Sequence, residues 1–156
     1  TVCTPKNPNC NTCMLSSACY AFTHNEVSVL PVKIKKQKIK KRYFNYIVCL
    51  LEDQKVILEK RTGKGIWENL YQFPLIETNK LVEEQHILET IDQHHNFSIT
   101  LFNEDPIIHK LSHQHLFTKF WIVTNASLEG EKVPISELYS YPVPILIQNF
   151  IEAFKF

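Results

Sequence analysis

The chain has 156 residues, a length that fits one ordinary domain with a short appendage. Apolar residues make up 44% of it and aromatic residues 12%, so a substantial core is expected. The net charge is only +1, which excludes neither acidic nor basic partners. No apolar run approaches the ~20 residues that a membrane-spanning helix needs, and no charged-then-apolar leader is visible. We therefore expect a soluble cytoplasmic monomer without a membrane partner, in a compartment that keeps thiols reduced.

Four of the five cysteines lie within the first nineteen residues. They are separated by six, two and five residues, at Cys3, Cys10, Cys13 and Cys19. A loop this tight can bring four sulfur atoms to one point, which is the geometry that a four-thiolate metal centre needs. The fifth, Cys49, stands alone in an apolar run and is expected to be an inert buried thiol.

Three chemistries could use this loop: an iron–sulfur cluster, a structural zinc ion, or two disulfides. Zinc sites usually take cysteines as two short-spaced pairs, and only Cys10 and Cys13 form such a pair here. Disulfides are favoured in small secreted chains, and nothing in this sequence indicates secretion. The spacing favours the cluster and leaves zinc, disulfides and free thiols as alternatives.

Residues 20–32 show no helical period and lead into a basic run, so we predict a linker over 20–42. Seven of the seventeen basic residues lie within ten positions of this linker: Lys33, Lys35, Lys36, Lys38, Lys40, Lys41 and Arg42. Such a run is ordinarily a solvated face. Because Val32, Ile34 and Ile39 are interleaved with the lysines, part of the run can extend a strand while the cations meet DNA phosphates. Each phosphate neutralised would steepen the fall of log binding affinity by about 0.9 per log unit of salt concentration.

Residues 43–156 have the pattern of an α+β domain. The predicted elements, in chain order, are a strand from Tyr43 to Leu51, a turn at 52–54, a strand at 56–58, a turn at 62–65, an aromatic segment at 66–76, a helix from Leu81 to His95, strands at 98–102, 107–111 and 116–123, and a helix that begins at Pro144. The apolar face of the first helix is predicted at Leu81, Ile87, Leu88 and Ile91. In the last helix the apolar period of i, i+4 and i+8 is formed by Leu146, Phe150 and Phe154, with Ile147 and Ile151 alongside.

The segment with the most chemistry in this domain joins two predicted strands and reads His109-Lys110-Leu111-Ser112-His113-Gln114-His115. Three histidines can indicate a metal site, but no acidic or cysteine ligand lies beside them, so ordinary polar roles are favoured. A polar hairpin turn is the simplest interpretation. Elsewhere, Trp67 and Trp121 are expected to be core or half-buried aromatics, and Arg61 and Lys64 are weaker candidates for phosphate contacts.

The cysteine spacing, with Thr4-Pro5-Lys6-Asn7-Pro8 between the first two ligands, resembles the iron–sulfur loop of MutY-type A/G-specific adenine DNA glycosylases. In that family a linker and a Nudix-like domain follow the loop, and the stretch from Glu59 to Pro74 is similar to part of that domain. The resemblance implies a cluster loop at 1–19, a basic linker at 20–42 and a Nudix-like mixed sheet with two helices at 43–156. It also implies a [4Fe–4S] cluster in the parent enzyme, which in this chain alone can be absent or replaced by zinc.

The chain departs from true Nudix hydrolases in the segment that binds their magnesium. Those enzymes carry a glycine-rich turn and then a helix with paired glutamates. Here Phe73-Pro74 is followed by Leu75-Ile76, and the helix reads Glu83-Glu84-Gln85-His86-Ile87-Leu88-Glu89. The metal cage that pyrophosphate hydrolysis requires is missing, so we interpret the domain as a binder.

The resemblance implies a parent enzyme that removes adenine mispaired with 8-oxoguanine, by flipping the adenine into a pocket and hydrolysing its glycosidic bond. In the family the catalytic carboxylates lie upstream of the cluster, so we expect this chain alone to be inactive. The expected ligand is double-stranded DNA with an 8-oxoguanine·adenine or guanine·adenine mispair. Two other functions stay open: a Nudix-type nucleotide hydrolase, and a module whose linker and last helix dock a repair or replication protein.

Leu111-Ser112-His113 resembles the family's Phe-Ser-His loop, which recognises 8-oxoguanine. By this resemblance Ser112 would contact N7 of the oxidised base, and His113 would contact the lesion or the adjacent backbone. Leu111 stands in place of the family's phenylalanine. It would wedge between base pairs as an apolar group but stack less well.

Overall fold

The computed structural model describes residues 2–4, 6–32, 38–91, 97–126 and 128–156. The chain divides into two compact units, 1–38 and 39–156. The second unit therefore begins at Ile39 rather than at Tyr43. Lys33, Lys35 and Lys36 of the basic run, and the predicted end of the first long helix at 92–95, lie outside the described residues.

The first unit is built from single helical turns. Two 3-10 helices, Cys10–Thr12 and Ser16–Ala18, precede the short helix α1, Tyr20–Thr23. The start of the predicted linker is therefore helical, because the N–H groups of Phe22 and Thr23 donate to the Cys19 carbonyl at 3.1 and 3.0 Å. No described residue of this unit is buried.

The second unit contains eight strands among its described residues. They are β1 (Lys40–Leu51), β2 (Lys55–Lys60), β3 (Tyr71–Gln72), β4 (Leu75–Thr78), β5 (Ser98–Leu101), β6 (Ile107–Lys110), β7 (Gln114–Thr124) and β8 (Glu131–Pro134). The helices of this unit are α2 (Glu84–Ile91), a 3-10 helix at Ile135–Ser140 and α3 (Ile145–Phe154). The α+β class and the mixed sheet with two helices are confirmed.

The sheet is organised around β1 and β7, which run parallel and pair from Lys40 with Gln114 to Leu50 with Thr124. The outer edge of β1 is shared by β4 and β2, both antiparallel to it. The outer edge of β7 is shared by β6 and β5, also antiparallel. Strands β3 and β8 pair with β2. Because β7 runs parallel to β1, its beginning lies beside the beginning of β1, which brings the turn before β7 next to residues 40–42 of the basic run.

Alternate side chains of β1 and β7 supply two separate cores, since successive residues of a strand point to opposite faces. On one face Phe44, Tyr46 and Phe120 pack against α3, whose Leu146, Ile147, Phe150 and Ile151 are buried as the period predicts. On the other face Ile47, Cys49 and Trp121 pack with Ile87 of α2. The predicted apolar face of α2 is partly wrong: Leu81 precedes the helix and is 45% exposed, and Val82 is buried instead.

The sequence analysis missed β8, and a glycine explains its position. Gly130 precedes the strand with a φ of +141°, a conformation that L residues rarely adopt. A Cβ atom there would lie 2.5 Å from Ile57 Cγ2 and 2.8 Å from the Leu58 carbonyl oxygen. The close approach of the Gly130 backbone is therefore what lets β8 pair with β2.

Candidate nucleic-acid interface and cysteine loop

Residues 111–113 form the turn between β6 and β7. The Leu111 N–H donates to the Gln114 carbonyl at 2.9 Å and closes the turn. Ser112 and His113 are exposed at its tip. The turn therefore presents a hydroxyl and an imidazole to a ligand from a tight backbone held between two strands.

The beginning of β1 runs beside this turn. The Lys40 N–H donates to the His113 carbonyl at 3.0 Å, and Lys40 and Lys41 pair in register with Gln114 and His115. Lys38, Lys40 and Lys41 are all exposed. The structure thus brings Lys40 and Lys41 together with the Ser-His turn, although the two segments lie far apart in the sequence.

Arg42 is held differently from these lysines. Its Nε donates to Glu77 Oε1 at 2.7 Å and its Nη2 to Glu77 Oε2 at 2.6 Å, while its guanidinium carbon lies 4.8 Å from the centre of the Phe44 ring. The hydrogen bond to Glu77 raises the pKa of Arg42, and the same bond lowers the pKa of Glu77. Because the guanidinium is already paired on two sides, Arg42 is less available to DNA phosphate than the lysines before it.

Leu111 does not project from the turn as a residue that inserts between base pairs would. Its side chain is half-buried and packs against the core that contains Phe44 and α3. In this position it anchors the turn to the domain. Insertion between base pairs would require the side chain to leave that contact.

The three histidines of this segment do not converge. His109 pairs with Leu116 across β6 and β7, whereas His115 pairs with Lys110, so the two imidazoles belong to opposite faces of the sheet. His109 instead packs against Trp67 at 5.7 Å between ring centroids. In the described part of the chain, no three His, Cys, Asp or Glu side chains form a group that could hold a metal ion.

Arg61 and Trp67, which follow β2, are both half-buried and are held by contacts within the second unit. Arg61 donates through Nη1 to Gln72 Oε1 at 2.9 Å and through Nε to the Ile66 carbonyl at 3.2 Å. Gln72 is 2% exposed and donates to Glu59 Oε1 at 2.6 Å. Trp67 is half-buried against Phe44, as predicted, with ring centroids 6.3 Å apart. Arg61 is therefore engaged in a polar network, whereas Lys64 is exposed.

This network includes the hydroxyl of Tyr46. The Tyr46 hydroxyl donates to Gln72 Oε1 at 3.4 Å, and burial raises the pKa of this tyrosine far above its usual range. Gln72 and Glu59 were missed because their partners come from separate strands. The sequence contains only one sign of them: each is a polar residue next to apolar residues in a short strand.

The cysteine loop is a feature of the first unit alone. All four of its cysteines line one small cavity of about 30 Å³, together with Val2, Pro8, Asn9, Ser16 and Phe22. Desolvation, and then the neighbouring thiols of Cys19, Cys13 and Cys3, raise the pKa of Cys10. The mutual effect of the thiols agrees with their position around one cavity.

Backbone hydrogen bonds hold these four positions in short turns. The Cys13 N–H donates to the Cys10 carbonyl at 3.2 Å, and the Cys19 N–H donates to the Ser16 carbonyl at 3.3 Å. The thiols are free, with Cys3 exposed and the other three half-buried. The set of four sulfur donors is that of a cluster or a zinc centre, although the thiols do not stand in a metal-holding group.

Comparison with known proteins gives a consistent result. Residues 45–153 match the family model described as NUDIX domain. The adenine DNA glycosylase of Buchnera aphidicola subsp. Schizaphis graminum is 30% identical over 99% of this chain and 45% of its own length. That of Buchnera aphidicola subsp. Baizongia pistaciae is 31% identical over 80% of this chain and 34% of its own length. The chain therefore spans half or less of these relatives.

A solved structure supports the fold. The C-terminal domain of mouse MUTYH, determined in complex with human PCNA, superposes with a TM-score of 0.56. The superposition covers 73% of this chain and 87% of that one at 12% identity. In the described part of this chain, every helix is too short or too polar to cross a membrane.

Proposed function

The chain belongs to the NUDIX domain family, and on that premise we propose that it is the part of an adenine DNA glycosylase that recognises 8-oxoguanine opposite adenine in double-stranded DNA. The observation that carries the proposal is the turn at 111–113, whose exposed Ser112 and His113 lie beside exposed Lys40 and Lys41. Lysines there attract the phosphates of a duplex, and the turn reaches its bases.

Ser112 supplies the chemistry of discrimination. In guanine N7 is a hydrogen-bond acceptor, and oxidation at C8 turns it into a donor. A serine hydroxyl both donates and accepts, so in the proposed complex it accepts from the N7–H of the oxidised base. His113 adds a ring nitrogen that can contact the lesion or the adjacent phosphate.

The contribution of the basic run is electrostatic and independent of sequence. Lys38, Lys40 and Lys41 neutralise phosphates, together with Lys35 and Lys36, which lie outside the described residues. Arg42 is not placed among these contacts, because its guanidinium is already paired with Glu77.

We propose that Cys3, Cys10, Cys13 and Cys19 hold a [4Fe–4S] cluster, and that the cluster orders the loop when it is bound. The four thiols line one cavity, and thiolates are the ligands that such clusters use. Zinc can occupy the same four sulfurs, and the metal content of the purified chain distinguishes the two.

Excision of adenine is proposed for the whole glycosylase and not for this chain alone. We assign no catalytic residue here, and expect the chain to bind a guanine·adenine or 8-oxoguanine·adenine mispair as a monomer without releasing adenine. Nucleotide hydrolysis is not proposed, since Leu75 and Ile76 lie in β4 where hydrolases have their glycine-rich turn.

The test is fluorescence anisotropy with two duplexes that differ only in 8-oxoguanine or guanine opposite adenine. We expect the wild-type chain to prefer the oxidised duplex, and Ser112→Ala to reduce that preference by about tenfold, since one base contact contributes about 1–3 kcal/mol. Ser136→Ala, which changes an exposed serine of the 3-10 helix after β8, is the matched control and should keep it.

Repeating the titration at two salt concentrations separates the two contributions. Ser112→Ala should leave the salt dependence unchanged, because serine neutralises no phosphate. Equal affinity of the wild-type chain for both duplexes would refute the proposed role of the turn.

A further inference from the structure

Two aromatic side chains on the sheet belong to neither core. Tyr43 and Phe117 are register partners on β1 and β7, and their rings stack with centroids 5.2 Å apart and 25° between planes. Both are half-buried, and neither packs into the cluster around Phe44 or the cluster around Trp121. The pair is therefore a partly exposed aromatic surface outside both cores.

The pair lies in the middle of a row that crosses four strands. Tyr43 also pairs with Thr78 on β4, and Phe117 pairs with Ile108 on β6. Since directly paired residues share a face of the sheet, these side chains stand side by side. Ile108 is 49% exposed, so the row is open to a ligand at this end.

The next row outward contains two lysines. It contains Lys41 on β1, His115 on β7 and Lys110 on β6, which pair in register. The Lys41 Nζ lies 5.8 Å from the centre of the Phe117 ring. Both lysines are exposed, and no ion pair between described residues involves either of them. Neither row contains a carboxylate, so among the described residues of these two rows the lysines stand beside stacked aromatic rings without an acidic neighbour.

We propose that this face, which we call the aromatic platform (Tyr43 and Phe117, with Lys41 and Lys110), binds unpaired nucleotides of single-stranded nucleic acid. Bases stack on aromatic side chains without regard to sequence, and lysines beside them neutralise the linking phosphates. The positive charge of the two lysines favours a polyanion as the ligand. The two aromatic rings favour a polyanion with flat bases that can stack on them. The platform differs from the 111–113 turn, which is proposed to read a base within a duplex.

The experiment uses a fluorescein-labelled thymidine oligomer of about 12 nucleotides and an abasic oligomer of the same length, which has the same charge but no bases. We expect the wild-type chain to bind the thymidine oligomer about tenfold more tightly. Tyr43→Leu combined with Phe117→Leu keeps apolar side chains but removes the rings, and should make the two oligomers equal. Tyr139→Leu, at a tyrosine that is 67% exposed elsewhere, should change nothing.

A second pair of variants decides the question if the leucine variant loses its circular dichroism spectrum. Lys41→Gln with Lys110→Gln should lower the salt slope for either oligomer by about 1.4, since each phosphate contact on a single strand contributes about 0.7. Lys132→Gln with Lys155→Gln changes two other exposed lysines as a control and should keep the slope.

Three results would overturn the proposal. The first is equal binding of both oligomers to the wild-type chain, and the second is an unchanged salt slope in the Lys41 and Lys110 variant. The third concerns competition. If a poly-glutamate peptide displaces the labelled thymidine oligomer as effectively as an unlabelled thymidine oligomer of the same charge, the ligand of this face is an acidic protein segment. Because neither oligomer contains an oxidised base, the comparison of the two oligomers does not depend on the Ser112 contact. Lys41 is shared with the basic run proposed to contact a duplex, so the comparison of the thymidine oligomer with the abasic one, and not the salt slope, separates the two proposals.

Discussion

The two units of this chain are ordered by different means. In the first, no described residue is buried, and Met14 and Leu15 are 96% and 72% exposed. In the second, β1 and β7 alone contribute Phe44, Tyr46, Phe120 and Trp121, each at most 1% exposed, to two cores. Burial of apolar surface stabilises the second unit by about 25 cal/mol for each Å².

The side chains described in the first unit provide no comparable source of stability. Its turns are closed by local backbone hydrogen bonds, which are individually weak in water. The proposed metal centre on four thiolates would add this stability, because binding free energy becomes folding free energy when the ligands are not preformed. We therefore expect the first unit to respond to the loss of thiols and the second to the loss of buried apolar side chains.

The largest expected effect is the loss of order in the first unit when thiols are removed. Cys10→Ser with Cys13→Ser should abolish a content of about four iron and four sulfide ions per chain, and should expose 2–32 to protease. The melting temperature of the second unit should stay unchanged. Elemental analysis, limited proteolysis and calorimetry on the full chain measure these effects.

Cys49→Ala is the reciprocal control. Burial raises the pKa of this thiol to about 11, and Cys49 belongs to the core cluster that contains Trp121. This variant should keep the iron and lower the stability of the second unit by about 1 kcal/mol. If the wild-type chain contains zinc without iron, the centre is a zinc site and not the proposed cluster. If it contains no metal at all, the proposal that a metal stabilises the first unit is wrong.

The next effect concerns the aromatic core of the second unit. Phe150 is 2% exposed and stacks on Phe120 at 4.0 Å between centroids, with Phe102 at 5.0 Å. Phe150→Ala should lower the free energy of unfolding by about 3–5 kcal/mol through lost transfer energy and a cavity. Urea unfolding measures this loss of stability, and the iron content of the chain should not change.

Ile145→Ala tests the same helix at a position that is 53% exposed. Its cost should be below about 1 kcal/mol, because little apolar surface is removed from water there. A similar loss in both variants would mean that α3 is not held by the face that contains Phe150.

The sequence predicted those features that depend on local period. The apolar run before Leu51 and the i, i+4 spacing of Leu146 and Phe150 identify β1 and α3 without tertiary information. Strand β8 was missed because Val133 stands between a lysine and a proline and shows no period. Its signal is Gly130, whose close contact with β2 is visible only in the folded chain.

At the candidate site, the sequence identified residue types but not their partners. Arg42 belongs to the basic run by composition, and its pairing with Glu77 follows from the antiparallel register of β1 and β4. Leu111 was expected at a DNA contact, and its packing against the core depends on how the turn leaves β6. Tyr43 and Phe117 form a surface because β1 and β7 are parallel neighbours, which no local pattern specifies.

The smallest effect tests whether Arg42 belongs to the fold rather than to the binding surface. Glu77→Gln should lower the free energy of unfolding at pH 7 by about 0.5–1 kcal/mol, a small value because the Glu77 side chain is 40% exposed. Glu68→Gln, at an exposed carboxylate without an ion pair among the described residues, should cost less. Urea unfolding at several pH values provides the measurement.

The pH dependence has a definite sign. Arg42 lowers the pKa of folded Glu77 below the ordinary value of 4.5, so the unfolded chain binds the proton more readily. The pair therefore stabilises the fold above pH 4.5, and this contribution is lost as the pH falls through the lowered pKa of folded Glu77. The difference between wild type and Glu77→Gln should shrink over that acid range. A constant difference from pH 7 down to about pH 2 would mean that Arg42 does not pair with an ionised Glu77, and would return its guanidinium to the DNA-binding surface.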